Sequence, residues 1–404
     1  NQIIQTQVNS MNVLVLTTSF PTRKLPVGMH VFNKCKYLVK KGIQITVIAP
    51  HYPGEELREK KEGINVIRFP YFWPLKYQKV AYDHGIVQNI NESLVAKIQL
   101  PLFVLMFFLY GLVHGKDKKI IHAHWFPAGL VGVIIKYLLN NKLVLMMHHT
   151  HKPNLLFKFI LRQTDYLLAN STYVLKRTDK IYPVKNKQVI PISIDYNRFK
   201  PQSNTDYIRT GTNIPEDAIF ILTVGRFIKL KGIEHLIKAI AILIHDEKRN
   251  NIYLRIAGQG PLEEKYKQKI KKLNIENYVE VIGYIKNTEI HNYYNEADIF
   301  VISSIIDENG ETEGFGVVTL EANACETPVI ASKVGGIIDV IEDGYNGFFV
   351  EQKNPEQIAA RIKQLADNQK LRYSIGKNGR SRVTKEFNWD NVADEIIQTY
   401  NELI

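Results

Sequence analysis

The sequence predicts an α/β protein made of two doubly wound domains in series, and three observations support this. The chain has 404 residues, which is enough for two or three domains. Short apolar, β-branched segments alternate with amphipathic helical segments, which is typical of parallel sheets covered by helices on both faces. The same alternation starts afresh at residue 218, after an irregular stretch between Pro191 and Gln202.

The first half opens with a β-branched run at residues 12–18, a loop containing Pro and Gly, and a helical pattern over about 28–41. Gly42 ends that helix. Further strands are predicted at residues 43–49, 66–69, 119–122, 142–147, 166–169 and 188–190. These elements predict a first domain over residues 11–198, preceded by a polar overhang, residues 1–10, that we expect to be poorly ordered.

The second half repeats the plan with a strand at 218–224, a Gly-containing loop and a helix from 231 to about 245. The further strands are predicted at 252–257, 279–282, 299–302, 329–331 and 347–350. The further helices are predicted at 261–273, 316–324, 355–366 and 370–385, with a last one at 391–403. The second domain is therefore expected over residues 199–387. Ligands of such sheets bind beyond the carboxyl ends of the strands, so we expect two such domains to face each other across a cleft that holds the site.

Composition excludes several classes of protein. Hydrophobic residues make up 45% and charged residues 23% of the chain, which excludes disordered, collagen-like and coiled-coil proteins. The two cysteines, Cys35 and Cys325, cannot form a disulfide framework or a Cys-rich zinc site, which favours a reducing, cytosolic compartment.

Charge is distributed unevenly along the chain. Residues 1–198 hold 27 Lys and Arg against 10 Asp and Glu, a net +17, whereas residues 199–404 hold 25 against 30, a net −5. A basic half indicates an anionic partner: a membrane surface, a phosphorylated substrate or nucleic acid. The basic residues lack a recognised nucleic-acid motif, so a nucleic-acid partner is not expected.

One apolar run, residues 98–113, allows two interpretations. It is interrupted by Gln99, Pro101 and Gly111 and is shorter than the roughly 20 apolar residues of a spanning helix. It is either a buried helix or an apolar surface that enters a bilayer interface, where the flanking lysines would suit anionic lipid.

The segment 313–347 is the richest in potential chemistry. Glu313 precedes a Gly-Phe-Gly loop and an apolar helix whose free N–H groups and dipole suit a phosphate. Glu321 lies about two turns into that helix, where a carboxylate can accept hydrogen bonds from both hydroxyls of a ribose. Glu313, in the loop, is placed to hold sugar hydroxyls.

Basic and glycine residues after two predicted strands suggest phosphate binding. Gly225-Arg226 follows a strand and Lys231 opens the next helix, so a guanidinium and an ammonium could hold a diphosphate. The alternative is a solvated basic loop. Gly28, at the start of the first helix, is either a point of close approach to a phosphate or an ordinary loop glycine.

Five histidines, at positions 122, 124, 148, 149 and 151, fall at the ends of two predicted strands. Such density resembles a metal site, but the sequence has no HExxH spacing and no carboxylate accompanies these histidines. We therefore expect site residues and no metal.

Several segments together resemble the retaining, nucleotide-sugar-dependent glycosyltransferases of family 4, also called group 1, which have the GT-B fold. The resemblance covers about residues 11–403. It lies in EGFGVVTLEANACETPVIASKVGGIIDVIEDGYNGFFV, with the family's E-x7-E spacing, in VGRFIKLKGIEHLIKA, and in IAGQGPLEEKY, HAHWFPAGL and FNWDNVADEIIQTY.

The resemblance implies a role for each matching residue. Glu313 and His148 would be catalytic, and His30, His124 and His149 are candidates on the acceptor side. The last helix, within residues 388–404, would return to the first domain. The donor-binding residues would be Arg226, Lys231, Glu321, Gly28, Gly225, Gly283 and Tyr284, with Phe315, Gly316 and Val317 offering backbone N–H groups.

The resemblance also implies the reaction, which is transfer of a sugar from a nucleoside diphosphate sugar, with a UDP-sugar as the expected donor, with retention and without metal or cofactor. The chain departs from the family pattern at Val27, at Ile192-Ser193 and after His148, where the run His148-His149 leaves open which histidine is active. The basic first half favours a lipid-linked or saccharide acceptor at the cytoplasmic face of an anionic membrane. A nucleotide-sugar epimerase and a non-catalytic membrane-binding protein are the alternatives.

Overall fold

The computed structural model describes residues 11–82, 85–150, 152–202, 209 and 214–404, and the chain divides into two compact units. The first holds the chain up to Pro191 together with Trp389–Ile404, and the second is Ile192–Asn388. The predicted overhang 1–10 and His151 lie outside the described residues.

Both unit boundaries differ from the predicted ones. The first boundary precedes the predicted position, residue 198, because Ile194 and Phe199 are buried in the core of the second unit. The Arg380 guanidinium also donates to the carbonyl oxygens of Tyr196 and Phe199, at 2.8 and 2.6 Å. At the other end, the second unit extends to Asn388 rather than to residue 387.

In the first unit, a sheet of eight described strands has the order β3-β4-β2-β1-β5-β6-β7-β8. The strands are β1 (Asn12–Leu16), β2 (Gln44–Pro50), β3 (Arg58–Lys61), β4 (Ile64–Phe69), β5 (Ile120–His124), β6 (Lys142–Met147), β7 (Tyr166–Ala169) and β8 (Lys187–Val189). The helices are α1 (Met29–Lys40), α2 (Ile86–Glu92), α3 (Leu94–Gly115), α4 (Phe126–Leu139), α5 (Leu155–Gln163) and α6 (Thr172–Asp179). Both faces of the central strands are buried, as in β1, where Val13–Leu16 are all buried.

In the second unit, a sheet of six described strands has the order β11-β10-β9-β12-β13-β14 and is parallel throughout. The strands are β9 (Ile219–Val224), β10 (Ile252–Ala257), β11 (Val279–Gly283), β12 (Ile299–Ile302), β13 (Val329–Ser332) and β14 (Gly347–Val350). The helices are α7 (Ile233–His245), α8 (Glu263–Lys272), α9 (Ile290–Glu296), α10 (Val317–Ala324), α11 (Ile337–Val340), α12 (Pro355–Ala366) and α13 (Gln369–Glu386).

The last helix, α14 (Trp389–Asn401), belongs to the first unit. Trp389 is buried and its ring stacks against Tyr37 of α1, with centroids 6.2 Å apart. Lys41 and Asp394 form an ion pair at 2.8 Å beside this contact. The first unit is therefore built from two separate parts of the chain.

The sequence did not predict strand β3. Its four residues, Arg-Glu-Lys-Lys, carry no apolar pattern, and it pairs antiparallel with β4 at the edge of an otherwise parallel sheet. Charged side chains on an edge strand discourage pairing with another chain. Helices α9 and α11 were also not predicted, because four to seven residues are too few to show helical periodicity.

Helix α3, which contains the apolar run, is buried on one side and exposed on the other. One stripe at helical spacing is buried, from Ala96 through Gln99, Phe103 and Phe107 to Gly111. The opposite side is apolar and exposed, and it includes Ile98, Leu102, Leu105, Leu109 and Val113. By length and composition alone, α3 is the single helix among the described residues that could cross a membrane, and 28% of its most apolar window is buried.

Candidate active site

In each sheet, one strand has its successive neighbours added first on one side and then on the other, which makes it the topological switch point of the sheet. In the first unit β1 lies between β2 and β5, and in the second unit β9 lies between β10 and β12. Ligands of open α/β sheets bind at such points, beyond the carboxyl ends of the strands. Most of the predicted site residues follow β1, β5 and β6 in the first unit, or β9 and β12 in the second.

In the second unit, the loop after β9 brings Gly225 against the side chain of Lys231. A Cβ atom on Gly225 would meet the methylene carbons of Lys231 at 3.4 to 3.7 Å. The next residue, Gly232, has φ +59°, and a Cβ there would lie 2.1 Å from the Ser303 carbonyl oxygen that follows β12. The loop after β9 is thereby held directly against the end of β12.

Lys231 forms an ion pair with Glu313, and both side chains are about one-sixth exposed. Sequence reasoning assigned one residue to the diphosphate and the other to the sugar, and it did not predict that they contact each other. The Arg226 side chain is exposed and forms no ion pair among the described residues. An incoming anion would therefore find one free guanidinium and one ammonium that a carboxylate already holds in place.

The loop that carries Glu313 is fixed by glycines. The Gly336 N–H donates to the Glu313 carbonyl oxygen at 2.9 Å, and a Cβ on Gly335 would lie 2.1 Å from that same oxygen. Gly316 has φ +81° at the start of α10, and no side chain among the described residues caps this helix. An uncapped helix start offers backbone N–H donors to an anion.

The Phe315 side chain lies in the protein core. It is buried in the core of the second unit, where it makes an edge-to-face contact with Phe387 at 6.1 Å. The role expected for the Phe315 backbone N–H stays a prediction.

Glu321 lies one turn into α10 rather than the two turns expected, because the helix begins at Val317. It accepts a hydrogen bond from the Tyr294 hydroxyl at 2.8 Å. Burial raises the pKa of the Glu321 carboxyl from 4.5 to about 7, although the Tyr294 hydrogen bond opposes the rise. Sequence reasoning missed Tyr294, because no spacing links α9 to α10. Partners of Glu321 that donate hydrogen bonds would favour its charged form.

Gly283 and Tyr284 lie at the end of β11, farther from β9 than the residues above. Gly283 has φ +74°, and its carbonyl oxygen accepts from the Gly258 N–H at 2.7 Å. Tyr284 exposes 60% of its surface. An exposed ring at the carboxyl edge of the sheet can stack on a planar group.

In the first unit, three of the predicted histidines form a buried array, which the partly exposed His30 contacts. The His122 and His124 rings of β5 are stacked, with centroids 4.5 Å apart. The His124 and His148 rings are nearly parallel, with centroids 5.3 Å apart. His30 of α1 meets His148 edge-on at 4.5 Å. His149 is exposed and lies outside this buried array.

Hydrogen bonds order the array. His124 Nδ1 and His148 Nε2 are 3.0 Å apart, so the two neutral rings share one proton between these atoms. His122 Nδ1 lies 2.6 Å from the hydroxyl of Tyr400 on α14. Tyr400 comes from the far end of the chain, and sequence reasoning did not find it.

The array is neutral. Burial lowers the pKa of His30 to about 3, and burial lowers the pKa values of His122, His124 and His148 well below the usual value. Among the described residues, no group of three His, Cys, Asp or Glu side chains is arranged to hold a metal ion. The ring nitrogens His122 Nε2, His124 Nε2 and His148 Nδ1 have no hydrogen-bond partner there.

Gly28 packs against the loop after β1 and immediately precedes α1, the helix that carries His30. It has φ +84° at the start of α1, and a Cβ there would lie 2.6 Å from the Ser19 carbonyl oxygen. The start of α1 therefore lies close against the loop after β1. No side chain among the described residues caps α1. The N–H groups of Val31 and Phe32 donate to the Gly28 carbonyl oxygen at 3.0 and 3.1 Å, which leaves the two N–H groups before them for a ligand.

Two family models match the chain, one for each unit. The model for glycosyltransferase family 4 matches residues 27–198, and the model for glycosyl transferases group 1 matches residues 204–382. Together they account for most of the chain. Each match includes the site residues that the sequence predicted for its unit, whereas Tyr400 lies outside both matches.

Individual proteins and structures agree with these matches. An uncharacterized glycosyltransferase of Methanocaldococcus jannaschii is 27% identical over 81% of this chain and 88% of its own length. The sucrose-phosphate synthase of Thermosynechococcus elongatus superposes with a TM-score of 0.79 at 23% identity, covering 97% of this chain and 99% of that one. Anabaena HepE in complex with UDP-glucose superposes with a TM-score of 0.73 at 19% identity, covering 97% of this chain and all of that one.

Proposed function

The chain belongs to the glycosyltransferases of group 1, family 4, with the GT-B fold, and from that premise we propose that it is a retaining, metal-independent transferase using a nucleoside diphosphate sugar. The observation that carries the proposal is the cluster at the start of α10, where Lys231, Glu313 and the uncapped helix end meet. These groups match the charge of a diphosphate and the hydroxyls of a sugar.

The donor half of the site divides by chemistry. Arg226, Lys231 and the N–H groups of α10 bind the diphosphate, and Glu313 accepts hydrogen bonds from sugar hydroxyls. Glu321 accepts from the ribose hydroxyls, and Tyr284 stacks on the base. HepE in complex with UDP-glucose supports a UDP-sugar as the donor.

The proposed step breaks the bond between the anomeric carbon and the β-phosphate oxygen and forms a bond from that carbon to an acceptor oxygen. The acceptor proton passes to the departing phosphate, which leaves as the nucleoside diphosphate. Arg226, Lys231 and the end of α10 stabilise the charge that develops on the leaving group. Those fixed positive groups supply the electrostatic stabilisation that a metal ion would otherwise provide.

We assign the acceptor to the first unit. His148 presents its unpartnered Nδ1 from the buried array and acts at the reacting face of the sugar. His148 is the stronger candidate of the adjacent pair, because His124 fixes its orientation whereas His149 is exposed. His30 and His124 then shape the acceptor side of the site.

The acceptor we propose is lipid-linked and is used at the cytoplasmic face of a membrane. The support is the exposed apolar side of α3, together with the net charge of +17 on residues 1–198. Lys97, on α3 itself, is exposed beside this apolar side. An apolar helix side next to basic residues suits an interface with anionic lipid.

The test of function is nucleoside diphosphate release from UDP-, GDP- and ADP-sugars in EDTA, with and without lipid-diphosphate-linked sugar acceptors. We expect release from one donor, faster with the acceptor and reduced by about 100-fold or more in Glu313→Ala and Arg226→Ala. No release from any donor and acceptor combination would contradict the proposal. Conversion of the donor without transfer would indicate an epimerase.

The test of location is co-sedimentation with vesicles of anionic and of neutral lipid. Replacing Ile98 and Leu105 by Asp removes two exposed apolar side chains, each worth about 1.5–3 kcal/mol when buried, so we expect binding to fall at least tenfold. Tyr373→Asp, at an exposed residue of the second unit, is the control. Equal binding of all three proteins would refute the assignment to α3.

A further inference from the structure

Lys34 is a buried lysine that the proposed reaction does not use. It lies in the middle of α1 and is 2% exposed. His30 precedes it by one helical turn on the same face. Because side chains on a helix tilt toward its N-terminus, the Lys34 ammonium extends toward the first turn of α1 and the histidine array.

Lys34 has no counter-charge among the residues that the structure describes. Among the described residues it takes part in no ion pair and no hydrogen bond with a carboxylate. Its charge lowers the pKa of each of four histidines, His30, His122, His124 and His148. Burial lowers the pKa of Lys34 to about 8, which still leaves the ammonium charged at pH 7.

A second buried cation in the same unit shows the usual arrangement. Arg68 is fully buried, pairs with Glu59 at 3.1 Å and donates to the Pro21 carbonyl oxygen at 2.7 Å. Isolated buried charges are costly and are normally paired in this way. The absence of a protein partner for Lys34, within the part of the chain that the structure describes, points to a partner from outside the chain.

The groups around Lys34 define the chemistry of that partner. The start of α1 at Gly28 is uncapped, and His148 Nδ1 is a buried ring nitrogen without a partner. One ammonium, uncapped backbone donors and neutral imidazoles suit an oxyanion, and the positive end of the helix adds to its attraction. A neutral hydroxyl compound would leave the charge of Lys34 uncompensated.

We propose that Lys34, His30 and the first turn of α1 form a binding site for a phosphoryl group. The proposal rests on the proposed function, which supplies two sources of that group: the diphosphate of the donor or a phosphate carried by the acceptor. Both sources share the chemistry that the site recognises. Lys34 is then a binding residue in the first unit that neither the sequence motifs nor the family resemblance identified.

The test uses Lys34→Met in the full chain, which keeps an unbranched side chain one atom shorter and removes the ammonium. Lys36→Met is the matched control, because Lys36 is on the same helix, partly exposed and paired with Glu62 at 3.1 Å. Without ligand, we expect the melting temperature to rise by a few degrees in Lys34→Met and to stay unchanged in Lys36→Met. A lysine with a purely structural role would give a lower melting temperature in Lys34→Met.

Binding then identifies the source of the phosphoryl group. UDP is titrated into each protein by calorimetry, and inorganic phosphate is titrated into each protein saturated with UDP. If the donor diphosphate occupies the site, Lys34→Met weakens UDP binding about tenfold or more, and phosphate does not bind the UDP complex. If the acceptor supplies the group, UDP binding is unchanged, and phosphate binds the wild-type complex but not the Lys34→Met complex.

The site is refuted if a folded Lys34→Met binds UDP and phosphate as the wild type does. Lys34→Gln gives the same comparison should the methionine variant fail to fold. Absence of UDP binding to the wild type would count against the proposed function alone, since phosphate binding to the unliganded proteins would still decide the site. The two failures are thus distinguishable.

Discussion

Binding of UDP near neutral pH is expected to release a proton from Glu321. The carboxyl is partly buried in α10, and burial raises its pKa to about 7. If Glu321 binds the ribose, two hydroxyls donate to it, and this favours the charged form. Bound nucleotide should therefore lower the pKa of Glu321 and expel the proton that the free protein holds.

The size of the release follows from the pKa. At pH 7 a group with a pKa of about 7 is half protonated, so complete ionisation on binding would release about half a proton per chain. The release should approach one proton near pH 6 and vanish near pH 9. The same shift makes the free energy of unfolding depend on pH. The Glu321 carboxyl has a pKa of 4.5 in the unfolded chain and about 7 in the folded chain, so between these pH values only the folded chain binds the proton. Stability therefore falls as the pH rises from about 4.5 to about 7. The total loss is about 3 kcal/mol.

The assay is calorimetric titration with UDP in buffers of different ionisation enthalpy, at pH 6, 7 and 9. Glu321→Gln is the control, because it has no carboxyl to titrate and retains any proton release that comes from the phosphates of UDP. The quantity of interest is the difference between the two proteins. An equal release in both proteins at pH 7, with UDP bound to each, would refute the assignment of Glu321 to the ribose.

The remaining predictions concern packing within each unit, next to its predicted site residues. Gly258→Ala places a Cβ 1.8 Å from the Gly225 carbonyl oxygen at φ +142°, so we expect a loss of more than about 2 kcal/mol in denaturant unfolding followed by circular dichroism. Gly54→Ala, at φ +90° in open space, should cost about 1 kcal/mol, and equal costs would contradict the packing argument. Tyr400→Phe leaves His122 Nδ1 without its partner and should destabilise the first unit by about 1–3 kcal/mol, measured by thermal unfolding; an unchanged midpoint would show that this hydrogen bond is dispensable.

The sheets could be predicted largely from local patterns. Strands β6, β7, β10, β12 and β14 lie at the predicted residues, because each is a short apolar run between turn signals. Strand β3 has no such run, and it forms because β4 offers it a free edge. Its pairing depends on tertiary structure, which no local pattern encodes.

The positions of the donor-side residues could be predicted because they follow one another closely in sequence. Glu313, Gly316 and Glu321 belong to a single loop and helix, so their spacing alone places them at one helix end. The contacts across the sheet could not be predicted in this way. The Lys231–Glu313 ion pair joins the loop after β9 to the loop after β12.

The histidine array also depends on contacts between elements that are distant in sequence. The spacing of His122 and His124 on β5 places both side chains on one face of the strand, and this could be predicted. His30 and Lys34 come from α1 and Tyr400 comes from α14. Their approach to β5 depends on how two helices pack on the sheet, and sequence spacing does not report that packing.

The most direct test of the central claim is the anomeric configuration of the transferred sugar, followed by proton NMR during turnover in EDTA. A donor with an α-linked sugar should give an α-linked product at a rate that EDTA does not change. Lys231→Met should slow that rate by about 100-fold or more, because it removes the ammonium that stabilises the leaving diphosphate. A β-linked product, or loss of activity in EDTA with recovery on adding Mg²⁺, would contradict a retaining transferase that relies on its own cationic side chains.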